Sequence, residues 1–263
     1  MSSALSDLDM PDFQAEGRAV TTRVSTPLLG RQAKELDCVE IDGALYFEGD
    51  IRVYPALPDI SDFLHEDQHA IVLHGHGIGN VHSLWSGGII PCAFHHKVAE
   101  LAQAAIAYWM NYTPLQFTVY SGEPAFLAFM PASVNESPVG RQGGRQIVGL
   151  IPGTTLGWAI HEIGHAIGLW HEHSRADQNQ HIYIHWENIR QGNEAQFRPL
   201  FQNALLLGPY DYDSAMHYPE DAFASEGQLS ISRLDGGPLG PRSGLSIGDI
   251  AACKKLYPNL NWG

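Results

Sequence analysis

From Ser83 onward apolar residues recur at regular intervals, whereas before it they come only in short runs. Residues 1–40 are polar and turn-rich with weak periodicity, which predicts loop and short helix. Ala44-Leu-Tyr-Phe47 is a brief apolar run closed by Gly49-Asp50, and Pro55 and Pro58 interrupt regular structure after it. The glycine-spaced stretch His74 to Asn80 reads as a flexible connector. Gly88-Ile-Ile-Pro-Cys-Ala-Phe94 has the character of a strand. Lys97 to Asn111 places Val98, Leu101, Ala102, Ala105 and Trp109 on one face of a helix that ends before Pro114. Leu115–Tyr120, Ala125–Met130 and Ile147–Ile151 predict three more strands. Thr154 or Thr155 can cap a helix running to about Gly168, and Ser246 can cap a last one through Lys255. Between those helices the chain is rich in Gly and Pro, which predicts irregular structure.

With 263 residues, 44% of them hydrophobic, the chain can bury a substantial core, as one large domain or as a domain with an appendage. A net charge of −14 with no basic stripe argues against a nucleic-acid partner. No apolar run approaches the ~20 residues of a membrane helix, so no membrane partner is expected. The opening Met1-Ser-Ser-Ala-Leu-Ser-Asp7 lacks the basic flank and apolar stretch of a signal peptide. Residues 1–75 hold fourteen acids and five bases, against fifteen and ten in residues 76–263. That asymmetry divides the chain into two segments, of which the first also reads as an acidic, loosely ordered tail. Cys38, Cys92 and Cys253 lack metal-ligand spacing and read as structural thiols. A Cys92–Cys253 disulfide is compatible with an oxidising compartment and would leave Cys38 over.

Chemistry is concentrated in His161-Glu162-Ile-Gly-His165-Ala-Ile-Gly168-Leu-Trp-His171. Histidines at i and i+4 lie about 40° apart on a helix and can share a metal. Glu162, one position around, can address a water on that metal without ligating it. His171 lies about 240° from His165 on a continuous helix, so it joins the pair only if the chain bends back. Gly168 sits where the bend is needed and enters the left-handed region freely. Three imidazoles suit Zn2+ and leave a fourth position open, as catalytic zinc sites do. Surface helices carry a lone His-Glu-x-x-His harmlessly, but the extended pattern is far more specific.

Followed by a Met-turn, this pattern is the metzincin signature, and Ser214-Ala-Met216-His-Tyr218 supplies the Met. A lone loop Met usually serves packing; beneath a tripod it forms an apolar floor. The chain resembles the astacin family of zinc metallopeptidases over roughly residues 44–258. The likeness rests on Leu84-Trp-Ser-Gly-Gly88, on His161 through His171, and on the continuation Glu172-His-Ser-Arg175-Ala-Asp177. It is completed by Ser214 to Tyr218 and by Leu245-Ser with Leu256-Tyr257. The resemblance implies an α+β zincin fold with a twisted mixed sheet and two helices in an upper half. An irregular lower half would hold the Met-turn and the C-terminal helix. It further implies an endopeptidase acting on protein or peptide substrates bound along an edge strand. Glu162 would be the general base and Tyr218 a mobile ligand and transition-state donor, while Glu172 would receive the amino terminus of the mature enzyme. As a surface ion pair instead, Glu172 and Arg175 would contribute little.

Phe47-Glu-Gly-Asp50-Ile51 resembles the motif by which astacin prosegments block their own zinc. On that likeness residues 1–75 form an inhibitory prosegment with Asp50 as zinc ligand, and residues 76–263 the catalytic domain. Read by itself the motif is a Gly-Asp turn, and Cys38 competes as a thiolate ligand. Family members usually carry two disulfides, a pattern absent here, and Gln178 stands where a basic residue commonly follows Asp177. The resemblance implies secretion; the missing disulfides and signal peptide do not. A hydrolase of a non-peptide amide, or a zinc-binding protein without catalysis, are the alternatives, the latter expecting loss of Glu162.

Overall fold

The computed structural model describes residues 18–24, 34–41, 44–53, 77–78, 83–200, 204–239 and 244–263. Among these the strands are β1 (Arg18–Val24), β2 (Lys34–Ile41), β3 (Ala44–Phe47), β4 (Ile51–Val53), β5 (Gly77–Ile78), β6 (Ile89–Phe94), β7 (Gln116–Val119), β8 (Phe126–Pro131), β9 (Arg145–Leu150), β10 (Ile182–Ile184), β11 (Ala204–Leu205) and β12 (Ile231–Arg233). The α-helices α1 (Ala99–Tyr112), α2 (Leu156–Ala166) and α3 (Ile247–Leu256) accompany them.

Strands β7-β6-β8-β9 form a parallel sheet backed by α1 and α2. The antiparallel element that makes this layer mixed is Glu136, which exchanges two 2.9 Å backbone hydrogen bonds with Gly149 of β9. β1 to β4 form an antiparallel meander. Its last strand reaches the main sheet, since Ile51 bridges Ser137 in parallel. Between α2 and α3 the chain runs through 3₁₀ turns and the short strands β10 to β12, the irregular half that the Gly/Pro content predicts.

One expectation is corrected. The sequence predicts loop and short helix over residues 1–40, yet residues 18–24 and 34–41 are paired strands. The ladder draws on polar cross-strand contacts such as Thr21 Oγ1 donating to Asp37 at 2.9 Å, which an apolar periodicity cannot register. Within the connector of residues 74–80, Gly77–Ile78 pairs with β11; the rest of it, like Pro55 and Pro58, lies outside the described residues. The cysteines are structural thiols, as the sequence reads them, and the alternative Cys92–Cys253 bridge is not formed. All three cysteines are buried free thiols, the Cys92 thiol points at the Ile90 carbonyl, and burial pushes Cys38 and Cys92 up to about 12.

The main core lies between the sheet and the two helices. Trp109 of α1 is fully buried and donates its indole N–H to the Ile160 carbonyl at 3.0 Å. Every residue of α2 from Gly157 to Ala166 is buried. A helix enclosed on all sides normally carries no charge, so His161, Glu162 and His165 within it mark a site rather than a solvated face. Met216 packs directly against this helix at Gly164, where a Cβ would overlap the methionine sulfur and lie 3.2 Å from its methyl.

Gly164→Ala is therefore expected to lose stability. Overpacking costs typically ~1–3 kcal/mol, of which better helix propensity returns ~1. In a Met216→Ala background the same change should be neutral or stabilising by thermal denaturation. Equal losses in both backgrounds would show that the Met216 contact is not the cause.

Candidate metal centre

α2 ends as the sequence spacing requires. Gly168 takes φ 112, its N–H donates to the His165 carbonyl at 2.8 Å, and the Leu169 N–H donates to the Gly164 carbonyl at 3.0 Å. This pair of bonds closes a helix on a left-handed glycine, and it turns the chain back so that His171 faces His161 and His165. His161 Nε2 and His165 Nε2 each lie 3.2 Å from His171 Nε2. Asp50 completes the group, its Oδ2 3.2 Å from both His161 and His171 and its Oδ1 3.8 Å from His165.

These distances fit a tetrahedron. Ligands at ~2.0–2.1 Å from zinc stand about 3.3–3.4 Å from one another. The outer nitrogens fix which face each ring presents. His161 Nδ1 donates to the Ala215 carbonyl at 2.7 Å, His165 Nδ1 to the Leu169 carbonyl at 2.8 Å, and His171 Nδ1 to Glu48 at 2.7 Å. With those protons outside, three lone pairs and a carboxylate point at one buried spot, which only a cation reconciles. Burial, and then the neighbouring His171 and His161, hold His165 well below the usual imidazole range, in the neutral form a ligand needs. Three nitrogens and one oxygen suit zinc. Asp50, His161, His165 and His171 form a zinc-binding cluster.

Glu162 is fully buried beside it, and neither carboxylate oxygen has a partner among the described residues. Burial raises its carboxyl well above the usual range, and the charges of Asp50 and Glu136 add to that. Tyr218 is fully buried too, stacked on His173 at 3.7 Å, and its hydroxyl donates to the backbone carbonyl of Glu48.

The Met-turn is held by the last helix. Asp249 closes a capping box with Ser246, and its carboxylate also accepts from Ser214 Oγ at 2.6 Å and from the Ala215 N–H at 2.8 Å. Ala215 in turn anchors His161. Glu172 is buried, not a surface partner: it accepts from Arg175 at 3.0 Å and from the Asp211 N–H at 2.8 Å. Burial outweighs Arg175 and pushes its carboxyl up to about 8. Glu172 lines a cavity of about 100 Å³ with Asp211, Asp249 and Lys255.

Asp50, His161, His165 and His171 thus come together in one cluster with Glu162 and Tyr218 beside it, Gly168 and Met216 act through the helix, and Glu172 lines the separate cavity. Cys38 is not in the cluster; it packs in a small core with Phe47, Ile51 and Trp170. Sequence reasoning missed Glu48, which takes φ 48 with Gly49 at φ 79 to aim Asp50 inward while its side chain accepts from His171 and from Ser174 at 3.3 Å. Nothing in the pattern Phe-Glu-Gly-Asp separates such a glutamate from a solvated turn residue. Asp249 could have been found, as the third residue after a capping Ser.

The comparisons with known proteins agree with this geometry. Residues 77–258 match the peptidase family described as Astacin. An astacin-like metalloendopeptidase of Mus musculus is 37% identical over 188 residues, 66% of this chain and 43% of that protein. The zinc metalloproteinase nas-6 of Caenorhabditis elegans is 35% identical over 185 residues, 66% of this chain and 53% of that protein. The chain therefore spans about half the length of the curated relatives it matches. Among solved structures, high choriolytic enzyme 1, a hatching enzyme zinc-protease from Oryzias latipes, superposes with TM-score 0.61 at 32% identity, covering 66% of this chain and 92% of that one. Among the described residues no helix is long and apolar enough to cross a membrane. A tripod built on a glycine-closed helix over a Met-turn and a family match over residues 77–258 lead to one conclusion: the chain belongs to the astacin family and has its metzincin fold.

Proposed function

We propose that the chain is a secreted zinc endopeptidase whose residues 1–75 form an inhibitory prosegment and whose residues 76–263 form the catalytic domain. The observation that carries this reading is Asp50, which closes the histidine tripod while the carboxylate of Glu162 lies buried and partnerless beside it among the described residues. Bound zinc would acidify a water and polarise a scissile carbonyl. Glu162 takes the proton of the attacking water and delivers it to the leaving amine. Tyr218 donates its phenol proton to the developing oxyanion. In the intact chain that hydroxyl is engaged by Glu48, so the N-terminal segment withholds two functions at once. It also occupies an edge, with the Ser137 N–H donating to the Asp50 carbonyl at 3.1 Å and the Arg52 N–H to the Ser137 carbonyl at 3.3 Å. An extended peptide substrate would use that same edge.

Activation then needs a cut near residues 70–80, and the resemblance to mature astacins points to His76 as the new first residue. No Lys or Arg occurs between Arg52 and Lys97, so a trypsin-like activator has nothing to cut there. The freed amino group would enter the cavity beside Glu172, where its positive charge would offset the burial that raises that carboxyl to about 8.

Glu162→Gln is expected to keep one zinc per chain by elemental analysis while cleaving peptides at least ~100-fold more slowly; full activity would remove Glu162 as the base. The uncut chain should be nearly inactive, and Asp50→Ala should raise its basal peptidase activity without any cut. If Asp50→Ala stays silent while Cys38→Ala becomes active, the switch is the thiolate and the assignment fails.

A further inference from the structure

Glu136 is 2% exposed and sits on the edge segment that the N-terminal strand covers. Its backbone is fixed by the two hydrogen bonds to Gly149, and its side chain lies flat across that glycine. A Cβ on Gly149 would overlap Glu136 Cγ and stand 2.7 Å from its Oε1, so the missing side chain is what makes room for the carboxylate. Oε1 accepts from Arg52 Nη1 at 2.7 Å, while Oε2 has no partner among the described residues. The guanidinium is the outer member of the pair: its side chain is 24% exposed against 3% for Glu136. Arg52 lies two residues beyond Asp50, and the charge of Glu136 is felt at Glu162.

Removal of the N-terminal segment takes away the cation and leaves a fixed carboxylate facing the cleft beside the reacting centre. A carboxylate fixed there favours a positive group on whatever strand next covers the edge, because covering it again without a partner would leave a costly buried charge. Arginine also matches a carboxylate with one free oxygen, which can accept a second N–H. We infer that Glu136 determines specificity, selecting protein substrates with an arginine or lysine side chain at the edge position that Arg52 holds here. This rests on the reading above, in which residues 50–52 lie where substrate lies. Glu136 takes no part in bond breaking; it acts on which peptide is held in register.

The test uses the chain activated by a cut at residues 70–80 and a peptide library with Arg, Lys, Gln, Leu or Glu at each of six positions around a cleavable core. Wild type should prefer Arg and Lys at one position by about tenfold or more in kcat/KM. Glu136→Gln should lose that preference, changing the rates for the Gln, Leu and Glu peptides by one common factor, and Glu136→Lys should shift the preference toward Glu. A merely structural Glu136 would slow all peptides alike and would not reverse the charge preference. Cleavage by wild type with no basic preference at any position overturns the inference and leaves the peptidase reading standing, even if no Glu136 variant folds. No cleavage of any peptide by the activated wild type overturns both.

Discussion

Three imidazole nitrogens and a carboxylate oxygen within 4.8 Å of one another, out of reach of water, repel unless a cation stands among them. The rest of the structure is arranged to hold those donors in place. The left-handed Gly168 closes α2 so that His171 can return. Asp249, held by the cap of α3, fixes the Met-turn carbonyl that orients His161. Gly164 lets Met216 approach the helix bearing the other two histidines. A change at any of these places is felt at the metal through the angle of a ring, because each ring has one nitrogen tied and one free to ligate.

The N-terminal segment uses the same interaction from the other side. It places a carboxylate on the tripod with two successive residues in the left-handed region, a strained turn held by the side chain of Glu48 on His171 and its carbonyl on Tyr218. Sheet pairing at Ser137 and the Arg52–Glu136 pair extend the contact beyond the metal. In the proposed latent state inhibition is thus spread over several residues, so loss of Asp50 alone should raise basal activity without reaching that of the cut enzyme.

Much of this was legible in the sequence, because helix geometry maps spacing directly onto space. His161, Glu162, His165, Gly168 and His171 could be placed in three dimensions from their intervals, as could α1 by its apolar face and α3 by its cap. What escaped depends on partners remote in the chain. The strands before Phe47 are paired through polar edges. Gly77–Ile78 pairs with Ala204–Leu205, far along the chain. Glu48 and Glu136 look like solvated acids until the segments that bury them are assembled. Glu172, read as a surface ion pair when weighed on its own, is buried for the same reason.

X-ray absorption at the zinc edge of the intact, uncut chain tests the central claim most directly, because it reads the donor set without reference to activity. The account predicts three nitrogen ligands and carboxylate oxygen, all near ~2.0–2.2 Å, with the oxygen contribution changed in Asp50→Ala. A sulfur ligand near ~2.3 Å, or a spectrum indifferent to Asp50, would contradict it.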